Sequence, residues 1–183
     1  MILHKVPEID GIRITQVTSV TDDRGSFVKF HPPREFENSL DSVAFSVNLN
    51  IGTIRGIHFQ VEPFAEEKLV TCVQGTIFDV AVDLRPNSET FGMWASFELS
   101  ATNALQVYLP KGIAHGFQSL ERNSIVHYIL SSPYSPEYSH TIDPFGDLGI
   151  DWPMKVNSIS ERDRDGISFS AAGKKYADSL KSH

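Results

Sequence analysis

The chain has 183 residues, of which 40% are hydrophobic and 21% are charged, and its formal net charge is −7. This size and composition predict one globular domain over residues 1–183, with a C-terminal tail after about residue 165. The acidic balance excludes the charge pattern of a nucleic-acid-binding protein, and no apolar run approaches the roughly 18 residues that a membrane helix needs.

The N-terminal ten residues, MILHKVPEID, lack the apolar block of a secretory signal peptide, because Pro7, Glu8 and Asp10 interrupt it. The single cysteine, Cys72, excludes an internal disulfide and a cysteine-rich zinc site. Both features favour a cytoplasmic protein.

The sequence predicts one helix over residues 32–40. Short β-segments dominate the chain after it. Val, Ile and aromatic residues are concentrated in segments at 45–51, 68–73, 76–84, 96–100, 105–110 and 124–130. Turn signals separate them, such as QG at 74–75 and PKG at 110–112. Many short strands with regular turns predict an all-β antiparallel sandwich or barrel. The polar C-terminal segment leaves two alternatives open, a short amphipathic helix or a disordered tail.

Two histidines stand in strand-like stretches, His58 in TIRGIHFQ and His115 in YLPKGIAHGF. The second stretch matches the cupin motif Pro-x-Gly-x-x-His in full. The first matches the other cupin motif in part, since Gln60 stands where a second histidine is usual. A metal site needs three or four deprotonated ligands. Two imidazoles beside the Lys68 ammonium do not supply them, so the sequence predicts a cupin-type jelly-roll barrel without a metal.

A longer series of blocks resembles the dTDP-4-dehydrorhamnose 3,5-epimerase family of sugar-nucleotide epimerases. The blocks are DDRGSF, RGIHFQ, EEKLVTCVQGTIFDVAVDLR, FGMWASFELSATN, YLPKGIAHGF and LGIDWP, and the similarity covers roughly residues 5–165. The resemblance implies a jelly-roll homodimer that epimerises a nucleotide-linked 4-keto-6-deoxyhexose without cofactor or metal.

The resemblance also implies roles for individual residues. His58 resembles the general base, and Asp163 resembles the carboxylate that orients it. Lys68 resembles the cation beside the enolate oxygen, and Tyr128 resembles the acid on the opposite face of the sugar. These residue types suit the chemistry, because epimerisation next to a ketone needs a base near neutrality, an acid and an enolate donor. The residues implied to line the pocket or contact the substrate are Arg24, Phe27, Arg55, Gln60, Asp79, His115 and Tyr134.

Several departures from the family pattern leave the substrate open. Lys29 stands where an acidic residue is common, residues 46–56 lack a Gln-Asp-Asn segment, and Ile129 follows Tyr128 where a lysine is common. An epimerase that inverts only C3 or C5 on another sugar nucleotide therefore remains an alternative. A cupin ketoisomerase, a metal-dependent oxygenase and a non-catalytic sugar-binding cupin are further alternatives.

Alternative roles also remain open for three individual residues. Lys68 follows two glutamates and is a candidate for a surface ion pair, and Asp165 is a substitute for Asp163 within SERDRD. His115 is also a candidate for a hydrogen-bonded core residue.

Overall fold

The structure, a computed structural model, describes residues 8–32, 36 and 40–182. Within them the chain forms twelve strands and two helices: β1 (Arg13–Gln16), β2 (Ser19–Asp22), β3 (Gly25–Val28), β4 (Ser42–Asn48), β5 (Ile54–Gln60), β6 (Lys68–Gln74), β7 (Thr76–Asp83), β8 (Trp94–Ser100), β9 (Leu105–Leu109), β10 (Ile113–Ser119), β11 (Ser124–Leu130), β12 (Ser139–Thr141), α1 (Glu161–Arg164) and α2 (Phe169–Ser179). Neither helix is long and apolar enough to cross a membrane. The helix predicted over residues 32–40 lies largely outside the described residues.

Ten of the strands form two antiparallel sheets that pack face to face. The first sheet has the order β1-β9-β6-β11-β4 and the second has the order β12-β5-β10-β7-β8, while β2 and β3 form a separate hairpin. The predicted all-β antiparallel sandwich is confirmed.

Side chains alternate between the two faces of each sheet, so every second side chain of a strand points toward the other sheet. Val70 and Val107 of the first sheet meet Ile77, Ala81 and Phe97 of the second in one fully buried cluster between the sheets. Buried polar side chains share these inner faces, as Asp79 does between Ile77 and Ala81 on β7.

The outer face of the second sheet is covered by the C-terminal part of the chain. Phe78, Val80 and Val82 point outward from β7 and pack with Ala172 and Tyr176 of α2. Strand β7 is therefore buried on both faces, which explains its nearly continuous apolar run. Of the two alternatives for the C-terminal segment, the structure has the helix.

Candidate active site

A histidine–aspartate pair joins β5 to the short helix α1. The Nε2 atom of His58 lies 2.6 Å from Oδ1 of Asp163, and Oδ2 of Asp163 accepts a hydrogen bond from the backbone N–H of Gly56 at 3.2 Å. Ser160 caps α1 by accepting from the backbone N–H of Asp163, which fixes the buried carboxylate against the strand. Since Nε2 donates to a carboxylate, Nδ1 of His58 is the nitrogen left to accept a proton.

The surroundings favour a neutral imidazole beside a charged carboxylate. Burial lowers the pKa of His58 from its ordinary value, against the opposing effect of Asp163. Burial acts to raise the pKa of Asp163, but its hydrogen bonds with His58 and Gly56 outweigh burial and the pKa is lowered. The lowered pKa favours the unprotonated imidazole near neutral pH, which is the form that can act as a base.

Lys68 begins β6 and carries its ammonium into the space between the sheets. Its Nζ lies 3.1 Å from Oε1 of Glu66 and donates to the carbonyl oxygen of His58 at 3.3 Å. The ion pair is buried, with side-chain exposures of 8% for Lys68 and 11% for Glu66. The lysine therefore has the carboxylate partner that the sequence suggested, but the pair lies in the interior and not on the surface.

Tyr128 and a second histidine–aspartate pair also lie between the two sheets. The Tyr128 ring meets the His115 ring edge to face, with centroids 6.0 Å apart. The Nε2 atom of His115 lies 2.7 Å from Oδ1 of the fully buried Asp79. Burial raises the pKa of Tyr128 well above its ordinary value and also raises that of Asp79. The Tyr128 phenol thus keeps its proton at neutral pH.

Four of these residues face one cavity of about 290 Å³: His58, Lys68, His115 and Tyr128. The cavity is also lined by Glu66, Leu130, Tyr134, Ser139 and Arg162. The register explains the arrangement, because His58 lies opposite His115 in the second sheet and Lys68 lies opposite Leu130 in the first. Tyr128 shares the inner face with Leu130, two residues along the strand. His58 and Tyr128 therefore enter the cavity from opposite sheets.

Gln60 lies beside the cavity without lining it. Its Nε2 donates to the carbonyl oxygens of Phe64 and Pro133, and its Oε1 accepts from the backbone N–H of Ser135. The carboxamide therefore anchors the loop on both sides of Tyr134, in the position where a metal-binding cupin carries its second histidine.

Three other predicted substrate contacts are not among the residues that line the cavity. Arg55 donates to Oδ1 of Asn48 at 2.8 Å. Arg24 and Phe27 belong to the β2–β3 hairpin, where Arg24 pairs with Asp22 and Phe27 is 69% exposed. Their contacts with a substrate stay predictions.

Four cavity residues were not identified from the sequence: the polar Glu66, Ser139 and Arg162 and the apolar Leu130. Arg162 precedes Asp163 on α1, and Glu66 is two residues before Lys68, so proximity to a predicted residue was the available signal. No group of three or more potential metal ligands occurs in the part of the chain that the structure describes.

Comparisons with known proteins find matches over most of the chain. Residues 7–171 match the family model of dTDP-4-dehydrorhamnose 3,5-epimerase. The chain is 42% identical over 169 residues to the dTDP-4-dehydrorhamnose 3,5-epimerase of Methanothermobacter thermautotrophicus, covering 85% of this chain and 88% of that protein.

Two solved structures from Streptomyces have the same fold. NovW from Streptomyces spheroides, a 4-keto-6-deoxy sugar epimerase, matches with a TM-score of 0.84 and 34% identity over 95% of this chain and 90% of NovW. ChmJ from Streptomyces bikiniensis, a 3'-monoepimerase in complex with dTDP-quinovose, matches with a TM-score of 0.85 and 28% identity over 96% of this chain and 94% of ChmJ. The fold is therefore of the cupin type, and the chain belongs to the dTDP-4-dehydrorhamnose 3,5-epimerase family.

Proposed function

We propose that the protein is an isomerase that epimerises a dTDP-linked 4-keto-6-deoxyhexose in deoxysugar synthesis. One observation carries the proposal: His58, paired with Asp163, and Tyr128 face the same cavity from opposite sheets, and Lys68 lines that cavity. Inverting a carbon requires removal of a proton from one face and its return to the other. The family relatives and the dTDP-sugar bound to ChmJ support the substrate class.

The first step removes a proton from the carbon next to the C4 ketone. Nδ1 of His58 takes the proton, the C–H electron pair forms the enolate, and the negative charge moves to the ketone oxygen. Asp163 stabilises the resulting imidazolium, and Lys68 stabilises the enolate oxygen. One such donor contributes roughly 3–4 kcal/mol in comparable sites. The enolate needs this stabilisation because a carbon next to a ketone is a weak acid.

The second step returns a proton to the opposite face. The Tyr128 phenol donates its proton to the enolate carbon as the ketone re-forms, which inverts the centre. The imidazolium then loses its proton to solvent, and the phenolate regains one. Every group in this scheme is a side chain of the chain itself, so the proposal includes no cofactor and no metal.

The product distinguishes this function from the alternatives. Purified protein is incubated with dTDP-4-keto-6-deoxy-D-glucose, and the product is identified by proton NMR. An epimer at C3 or C5 supports the proposal. A ketone moved to another carbon supports a ketoisomerase, and an unchanged sugar that still binds supports a sugar-binding protein.

A single-centre epimerase is a second candidate, favoured by the match to the 3'-monoepimerase ChmJ. The same base, phenol and enolate cation serve one centre or two. Product with only C3 inverted, or only C5 inverted, identifies this function directly.

A homodimer in the cytoplasm belongs to the same proposal. The edge strand β4 exposes Val43, Phe45 and Val47, and the β2–β3 hairpin exposes Val20 and Phe27. An apolar strand edge of this kind is a template for pairing with another chain. A second copy of the subunit that paired with β4 would cover the exposed apolar side chains of that strand.

Lys68→Met is expected to lower kcat by roughly 100- to 1000-fold, because the substitution removes the donor at the enolate oxygen. Proton exchange into the substrate and epimer formation, both followed by NMR, are expected to fall together. Lys111→Met is the matched control, since Lys111 is about half exposed and lies outside the cavity.

The Lys68 variant leaves Glu66 without its buried counterion, so its thermal unfolding is compared with that of Lys68→Met/Glu66→Gln. If the double variant is stable and still slow, the loss belongs to the missing ammonium. Exchange at the wild-type rate in Lys68→Met would remove Lys68 from the mechanism.

The pH dependence follows from the environment of His58. Burial places its pKa below 6.5, so kcat/KM is expected to fall toward acid with an apparent pKa below that value as the base becomes protonated.

Asp163→Asn removes an interaction that raises the pKa of His58, and the acidic limb of the kcat/KM profile is expected to move to lower pH. The amide also favours the wrong imidazole tautomer, so the rate is expected to fall by roughly 100- to 10,000-fold. An acidic limb that moves to higher pH in Asp163→Asn would contradict the pairing.

A further inference from the structure

The guanidinium group of Arg162 connects helix α1 to two other parts of the chain at the edge of the cavity, the loop that carries Tyr134 and strand β12. Nη1 donates to the hydroxyl oxygen of Tyr134 at 2.9 Å, and Nη2 donates to Oγ of Ser139 at 2.7 Å. The guanidinium carbon also lies 6.0 Å from the centroid of the Tyr134 ring. Because Arg162 directly precedes Asp163, the same helical turn holds the partner of the base and the side chain that contacts Tyr134.

Tyr134 needs such a contact to hold a fixed position. The residue is 62% exposed, so packing alone does not fix its ring at the edge of the cavity. The backbone on either side is anchored by Gln60, which bonds the carbonyl of Pro133 and the N–H of Ser135. The loop is thereby fixed at its backbone by Gln60 and at its tyrosine ring by Arg162.

The direction of the hydrogen bond determines what the Tyr134 hydroxyl can do. A guanidinium only donates, so the Tyr134 oxygen accepts in this contact and its own proton is not used. Among the described residues, none accepts that proton, and Tyr134 lines the cavity. The hydroxyl is therefore available to donate to an oxygen atom of a bound sugar.

We propose that Arg162 is a positioning residue that fixes the Tyr134 ring at the cavity mouth with its hydroxyl proton free for the substrate. The inference rests on the proposed epimerase function. Two of the five guanidinium N–H groups bond protein hydroxyls, and the positioning role concerns these two. A lysine has a single ammonium and does not present two nitrogens in this fixed geometry.

A double-mutant cycle tests the inference by measuring kcat and KM for Arg162→Ala, Tyr134→Phe and the double variant. Each single substitution is expected to lower kcat/KM by roughly 10- to 100-fold, since small misplacements of a positioning group cost that much. Because Arg162 acts through the Tyr134 hydroxyl, the double variant is expected to be no slower than the slower single variant. Arg162→Lys, which keeps one donor, is expected to recover part of the loss.

Arg164→Ala is the matched control, because Arg164 lies on the same helix, is exposed and does not line the cavity. It is expected to retain wild-type activity. If the losses from Arg162→Ala and Tyr134→Phe multiply in the double variant, Arg162 acts independently of Tyr134 and the inference is wrong. That result leaves the epimerase function intact, whereas an inactive wild-type protein in the same assay overturns both.

Discussion

His58→Ala is expected to lower the kcat of epimerisation by roughly 100- to 10,000-fold, the range typical for loss of a general base. His115 is the other cavity histidine, but its side chain is 5% exposed against 38% for His58, and Lys68 is paired with Glu66, so His58 is the acceptor most accessible to the substrate carbon. The measurement is the rate of epimer formation by NMR at saturating substrate. KM is expected to change much less than kcat, because His58 acts on the reacting carbon.

Two companion variants make the His58 result decisive. His58→Asn keeps a hydrogen-bond donor for the buried Asp163 carboxylate and separates loss of the base from loss of stability. His140→Ala is the control on the neighbouring strand β12, since His140 packs against Phe59 outside the cavity. Near-normal turnover in a folded His58→Ala protein would make the proposed mechanism wrong.

Tyr128→Phe is expected to reduce inversion by roughly 100- to 10,000-fold while proton exchange falls much less. Without the phenol, His58 still removes the proton and returns a solvent proton to the same face. The substrate therefore acquires deuterium in D2O without being inverted. The measurement compares two rates in one NMR experiment, loss of the substrate proton signal and appearance of the epimer.

The control for Tyr128 is Tyr138→Phe, because Tyr138 packs against Phe64 and does not line the cavity. This variant is expected to retain both rates. Equal loss of exchange and inversion in Tyr128→Phe would show that Tyr128 does not act on one face alone, and unchanged inversion would remove it as the acid.

Much of the fold was predictable because its strands have a strong pattern. The segments predicted at 68–73 and 124–130 correspond to β6 (Lys68–Gln74) and β11 (Ser124–Leu130). The short strands β1 and β2 are exposed at every position, so no alternation between buried and exposed residues marks them in the sequence. Their pairing depends on the tertiary fold.

The candidate site was partly predictable for a different reason. Asp79 interrupts the apolar strand β7 on its inner face, and a buried carboxylate implies a partner, which the structure identifies as His115. The contact between His58 and Asp163 spans 105 residues, so only the family resemblance suggested it. Arg162 could not be assigned because its partners, Tyr134 and Ser139, meet it only after the loop and α1 have packed.

The central claim is proton transfer at the carbons next to the ketone, and solvent exchange tests it most directly. Wild-type protein, dialysed against a chelator and given no cofactor, is incubated in D2O with dTDP-4-keto-6-deoxy-D-glucose, and the proton signals at C3 and C5 are followed. Loss of one or both signals, at a rate at least equal to that of epimer formation, is the result that the account predicts. Epimer formation with both signals retained, or no loss of either signal from this or other nucleotide-linked 4-keto-6-deoxyhexoses, would contradict it.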